Sequence, residues 1–169
     1  MHINRNILLP GSYLLLLALV FSECNQSTVT QTSKPNIIYI MADDMGYGDL
    51  GCYGNDKIRT PHLDQLAEEG IRFTQHYAGS TVCAPSRGSL MTGMHTGQAY
   101  IKGNFAMQTE GNLPLPDTTV TVAELLKQAG YHTAVIGKWG LGGPGSVGGP
   151  NNQGFDYSFC YLDQRNAHE

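Results

Sequence analysis

The chain has 169 residues, 41% hydrophobic and 14% charged, which is enough for one modest domain with its own core. A formal net charge of −4 lacks the basic footprint of a nucleic-acid partner and argues against that class. The chain holds 21 glycines, many of them in one late stretch, so its second half should be rich in loops.

The first element is a targeting segment. Arg5 supplies positive charge, and Tyr13 to Phe21 reads YLLLLALVF. That apolar run has signal-peptide length and is short for a membrane span. Residues 1–24 are therefore expected to be an export signal, which implies a periplasmic or cell-envelope destination. Cys24 stands where a bacterial lipoprotein is cleaved and acylated, but Glu23 takes a place where a small residue is usual. Free and lipid-anchored forms both stay open. Residues 25–34 (NQSTVTQTSK) are a polar linker without periodicity.

The folded part is expected to span 35–169. Asn36 to Ala42 (NIIYIMA) is a continuous apolar run, suited to a strand buried on both faces. It ends at Asp43-Asp44, before a turn-rich loop with Gly46, Gly48, Gly51 and Gly54. Thr60-Pro61 is a good helix start and Gly70 a good stop, with Leu63, Leu66 and Ala67 at helical spacing. Ile71 to Tyr77 (IRFTQHY) alternates like a strand. Pro85 to Thr92 reads as a helix beginning just after Cys83 and stopping at Gly93. Thr119 to Ala129 has the broadest apolar helical face, closed by Gly130. Tyr131 to Ile136 (YHTAVI) reads as a strand that delivers Lys138. Leu141 to Pro150 (LGGPGSVGGP) is read as an ordered loop, because Asn151 to Leu162 turns aromatic again, as core does.

Strands alternating with helices predict an α/β fold with a mainly parallel sheet flanked by helices. Ligands of such sheets sit beyond the carboxyl ends of the strands, where Asp43, Asp44 and Lys138 all fall. Paired carboxylates there repel unless a cation or donors compensate, and their hard oxygens suit Ca²⁺ or Mg²⁺. A solvated loop pair is the plainer alternative. Cys83 stands at a helix start with Arg87 one turn on, an arrangement that favours anions and a nucleophile beside an anionic substrate. A buried structural cysteine is the plainer reading there. The other cysteines of the folded part are Cys52 and Cys160, and a disulfide between them is one way to pair them.

Cys83-Ala84-Pro85-Ser86-Arg87 followed by GSLMTG resembles the sulfatase signature. Gly130 to Leu141 (GYHTAVIGKWGL) and the strand ending in Asp43-Asp44 resemble two further motifs of that family, in the right order. The resemblance covers most of Pro35 to Leu162. It implies an alkaline-phosphatase-like α/β fold, of which this chain is the N-terminal part. It also implies a sulfuric ester hydrolase in which a maturation enzyme oxidises Cys83 to formylglycine. The hydrated aldehyde would attack sulfur and later expel sulfate, a form of covalent catalysis. Asp43, Asp44 and the modified Cys83 would bind Ca²⁺, with Mg²⁺ the less suited ion. Arg87 would orient the modified side chain, and Lys138 would contact the sulfate or the ester oxygen. The implied substrate is a sulfated glycan, with aryl sulfates as surrogates.

Two departures qualify that expectation. The family commonly reads GKWHLG where this chain has Gly140 in place of the His. His95, His132 and His168 are present, and sequence alone promotes none of them. Further metal ligands, a second Lys and a leaving-group His usually lie beyond this length, so the 169 residues alone are expected to be inactive. A phosphoester or phosphonate ester hydrolase on the same scaffold and a non-catalytic homologue remain the alternatives.

Overall fold

The computed structural model describes residues 33–108 and 110–168. The export signal, most of the linker and Cys24 lie outside the described residues. Contacts divide the chain into two units, Met1–Met41 and Ala42–Glu169. No helix among the described residues is long and apolar enough to cross a membrane.

In the first unit, residues 33–41 form no strand. Ile38 and Ile40 are 86% and 83% exposed, where burial on both faces was expected. The reason is physical. A β-run takes its stability from paired neighbours, and no described strand pairs with this one.

The second unit begins with two single turns of 3-10 helix, Tyr47–Asp49 and Gly51–Tyr53. Helix α1, Pro61–Glu69, starts at Thr60 and ends at Gly70, as its Thr-Pro and Gly signals require. Thr60 is not a side-chain cap. Its hydroxyl accepts from Gly51 N at 2.8 Å and donates to Asp64 at 3.0 Å. Asp64 also accepts from Cys52 N at 2.6 Å, so polar ties fasten α1 to the preceding turn. Nothing on α1 is buried. The strand expected at Ile71 to Tyr77 does not form. Ile71 is 81% and Tyr77 77% exposed, again for want of a paired neighbour.

Helix α2, Cys83–Thr92, begins two residues earlier than expected and stops at Gly93, whose φ of 67° suits a glycine. Helix α3, Val122–Gln128, is shorter than the apolar pattern suggested. A capping box sets its start: Glu124 N donates to Thr121 Oγ1 at 3.2 Å, and Thr121 N donates to Glu124 Oε2 at 2.7 Å. Val120 is thereby left outside the helix. Of the broad apolar face, Ala123 is buried, while Val122 and Leu125 are largely exposed.

Strand β1, Ala134–Lys138, pairs in parallel with β2, Tyr157–Tyr161, and Lys138 stands opposite Tyr161. The mainly parallel sheet is thus represented by two strands among the described residues. Its connection passes through the glycine-rich segment, which is ordered as expected. Leu141 O accepts from Leu115 N at 2.9 Å, and Gly148 O accepts from Trp139 Nε1 at 2.8 Å. Glycine is required where backbones meet here, since a Cβ on Gly111 would lie 2.3 Å from Gly143 Cα. The core gathers Ala84, Met91, Ile101, Leu115, Ala123, Trp139 and Leu141. Phe155 packs edge-on against Trp139, with ring centres 5.8 Å apart. Cys52, Cys83 and Cys160 are all free thiols, so the disulfide considered between Cys52 and Cys160 is not formed. Burial pushes the Cys160 thiol up.

Candidate active site

Residues from three elements meet at the end of β1. Cys83 is the first residue of α2, and Asn104 Oδ1 takes the neighbouring Ala84 N–H at 2.9 Å. That bond settles one of the unpaired donors at the helix start. Arg87 follows one turn later. Its NH1 donates to the Lys138 carbonyl at 2.6 Å, joining α2 to the last residue of β1. Its Nε is buried without a partner.

Lys138 holds the centre of the group, with a side chain only 7% exposed. Its Nζ lies 2.8 Å from Asp43 Oδ2, 3.5 Å from Cys83 Sγ and 2.8 Å from His168 Nε2. Arg87 NH2 approaches the same Asp43 oxygen at 3.7 Å. The hydrogen bond from Lys138 holds the Asp43 carboxyl below the usual carboxylate range; burial opposes this, and the charges of Lys138 and Arg87 add to it. Two cations therefore face one carboxylate beside a helix N-terminus. The surplus is positive, and an anion entering beside Cys83 would balance it.

Of the sequence-predicted residues, Asp43, Cys83, Arg87 and Lys138 are brought together. Asp44 is exposed and makes no ion pair among the described residues; it adopts a left-handed backbone with φ 54°. That conformation is tolerated by Asp better than by most residues. His168, Gln164 and Asn104 were not singled out from the sequence. Each is an isolated polar residue in a loop or turn, so no periodic pattern marks it.

The fit of a divalent ion can be judged from the donors. Asp43 and Asp44 offer hard carboxylate oxygens of the right kind, but Ca²⁺ takes roughly 6–8 oxygens. Among the described residues no group of three or more His, Cys, Asp or Glu converges as a cation site. The donors fit calcium in chemistry and fall short in number.

Comparison with known proteins places this geometry in context. The family model described as Sulfatase matches residues 35–168. Human arylsulfatase D is 46% identical over 155 residues, covering 86% of this chain and 26% of the relative. The N-acetylgalactosamine-6-O-sulfatase of Bacteroides thetaiotaomicron is 45% identical over 166 residues, covering 90% of this chain and 31% of the relative. A solved 6S-sulf structure, from a Bacteroides thetaiotaomicron locus for metabolism of multiple glycosaminoglycans, superposes with a TM-score of 0.69 at 44% identity. It covers 77% of this chain and 28% of that one. The chain thus spans about a quarter to a third of the length of the proteins it matches, and its helices and two-stranded parallel sheet are a partial version of their fold.

Proposed function

Because the chain belongs to the sulfatase family, its match running through residues 35–168, we propose that it carries the nucleophile and anion pocket of a sulfuric ester hydrolase. The supporting observation is the Lys138 ammonium, enclosed between the Asp43 carboxylate and the Cys83 thiol, with Arg87 behind it. The proposed substrate is a sulfated carbohydrate, with aryl sulfates as surrogates. The name of the Bacteroides relative, which specifies a sulfated amino sugar, supports that choice by likeness. Export to the cell envelope, with or without an anchor at Cys24, completes the proposal and rests on the apolar run of Tyr13 to Phe21.

The residues divide the work as follows. Arg87 ties α2 to β1 and sets a positive charge 3.7 Å from the Asp43 carboxylate. Lys138 presents an ammonium that cannot swing freely, since its stem is enclosed and its protons have partners. The ammonium would bind a sulfate oxygen by giving up one of those partners, from a position that stays fixed. Cys83, converted to formylglycine by a maturation enzyme, would supply the nucleophile. Asp43 and Asp44 would contribute two ligands to Ca²⁺, which would act as a Lewis acid on the sulfate group.

The test is a covalent one. The chain is produced in a host with sulfatase-maturation activity, and the tryptic peptide Phe73–Arg87 is weighed. Conversion of Cys83 lowers its mass by about 18 Da and gives an aldehyde that reacts with a hydrazide. A peptide that keeps its thiol, while a known sulfatase in the same host is converted, removes the proposed nucleophile.

A further inference from the structure

The ammonium of Lys138 has three protons and three neighbours, Asp43, Cys83 and His168. A lysine can only donate, so His168 Nε2 accepts at 2.8 Å. His168 belongs to the turn that follows β2, and that turn is firmly held. Asp163 is 2% exposed and accepts from Arg165 N at 2.7 Å and from Gly111 N at 3.3 Å. Gln164 N donates to the buried Asn112 at 3.2 Å, and His168 N donates to Arg165 O at 2.9 Å.

The same turn lays Gln164 on Gly140, two residues beyond Lys138. A Cβ at position 140 would lie 1.4 Å from Gln164 Nε2, and Gly140 has a φ of 72°. A side chain at 140 would therefore need both a left-handed backbone and a volume already filled. Gln164 itself is 6% exposed, and neither its Nε2 nor its Oε1 has a partner. A buried amide without partners is costly, and it is held over Gly140, two residues from Lys138.

We infer that the 163–168 turn is a working wall of the anion pocket, in which His168 positions the Lys138 ammonium and Gln164 fills the space a side chain at residue 140 would take. The imidazole then reaches the pocket from the turn after β2, not from the segment after β1. The ligand recognised is a tetrahedral oxyanion, so the inference rests on the sulfate-ester reading of the pocket.

The experiment uses the chain from a host without maturation activity, so that Cys83 stays a thiol. Alkylation of Cys83 by iodoacetamide is followed on the peptide Phe73–Arg87, with and without inorganic sulfate. Each variant is normalised to its own rate without sulfate, which removes any change in thiol reactivity. Sulfate should slow the wild-type reaction. In His168→Ala the half-protecting concentration should rise about tenfold, the loss of one charge-assisted hydrogen bond. His168→Gln retains an acceptor for Lys138 and should recover part of that loss. The thermal midpoint of His168→Ala should stay at the wild-type value, because the residue is exposed. If His168→Ala is protected at wild-type concentrations while Lys138→Met is not, the pocket stands and the turn has no part in it. If sulfate does not protect even the wild type, the anion reading of the pocket fails, and this inference falls with it.

Discussion

Residues 83–164 and residues 61–77 carry similar sequence signals and end up in different physical states. The first stretch buries Ile101, Leu115 and Leu141 to 1% exposure or less. The second leaves Leu66, Ile71 and Phe73 between 61% and 81% exposed. Hydrogen bonds hold it instead: Asp64 to Thr60 and Cys52, Arg72 to the Cys52 carbonyl, and Tyr53 to the Phe73 carbonyl. The Arg72 and Tyr53 bonds are exposed, where exchange with water leaves little net stability, while those of Asp64 are half-buried. Apolar spacing announces a face that wants cover; whether cover exists depends on what packs against it.

Mutations can break this comparison. Leu141→Ala or Ile101→Ala should cost about 2–5 kcal/mol, since each empties a closed space in the core. Ile71→Ala should stay within about 0.5 kcal/mol. Denaturant unfolding of the three variants measures both. An Ile71 effect as large as that of Leu141 would show that residues 71–77 are packed in solution.

A smaller effect sharpens the account of the covered region. Thr121 caps α3 and also donates to Gln153 O at 2.8 Å within the interior. Thr121→Ala should cost about 1–2 kcal/mol by the same unfolding measurement. Thr121→Ser, which keeps the hydroxyl, should restore most of it.

The smallest expected effect is a pH dependence. The hydrogen bond from Lys127 lowers the Asp156 carboxyl to about 2, and the Thr133 N–H adds to the shift. The Lys127 contact is 2.7 Å and that of Thr133 N is 3.0 Å. In the unfolded chain the group titrates near its ordinary value of about 3.9, so between the two values the unfolded state binds more protons. The contribution is fully present above about pH 4 and is lost as pH falls through about 2. Asp156→Asn should flatten the thermal midpoint against pH in that window and leave its shape above it unchanged. An unchanged acid limb would show that Asp163 and Asp43, whose carboxyls are also lowered, dominate it.

The helices were legible because their boundaries are local chemistry. Thr60-Pro61 and Gly70 bound α1 and Gly93 stops α2, whereas α3 starts later than its apolar pattern suggested, at a Thr-x-x-Glu box which that pattern does not show. Strand formation was less so, because pairing partners are remote in sequence. The runs at 36–42 and 71–77 read as strands and are unpaired, whereas β2 at Tyr157–Tyr161 was noticed only as an aromatic stretch. The convergence of Asp43 with Lys138 followed from their places after apolar runs, and Cys83 and Arg87 from one helical turn. Gln164 and His168 could not be found that way. Their meaning depends on a turn that returns to Gly140 and Lys138 from more than twenty residues downstream.

The burial of α2 at its own beginning has a consequence for order in time. Ala84 is fully buried, Pro85 and Gly88 are buried beside it, and the Arg87 side chain is 14% exposed. The maturation enzyme that the resemblance implies would need Cys83 and its neighbours, and Pro85 and Arg87 are withdrawn once the helix has docked. Under the proposed maturation, the chemistry of Cys83 belongs to the young polypeptide, before Arg87 reaches the Lys138 carbonyl. Folding would then act as a closing date: chains oxidised early carry an aldehyde at the start of the docked helix, and chains that fold first keep their thiol.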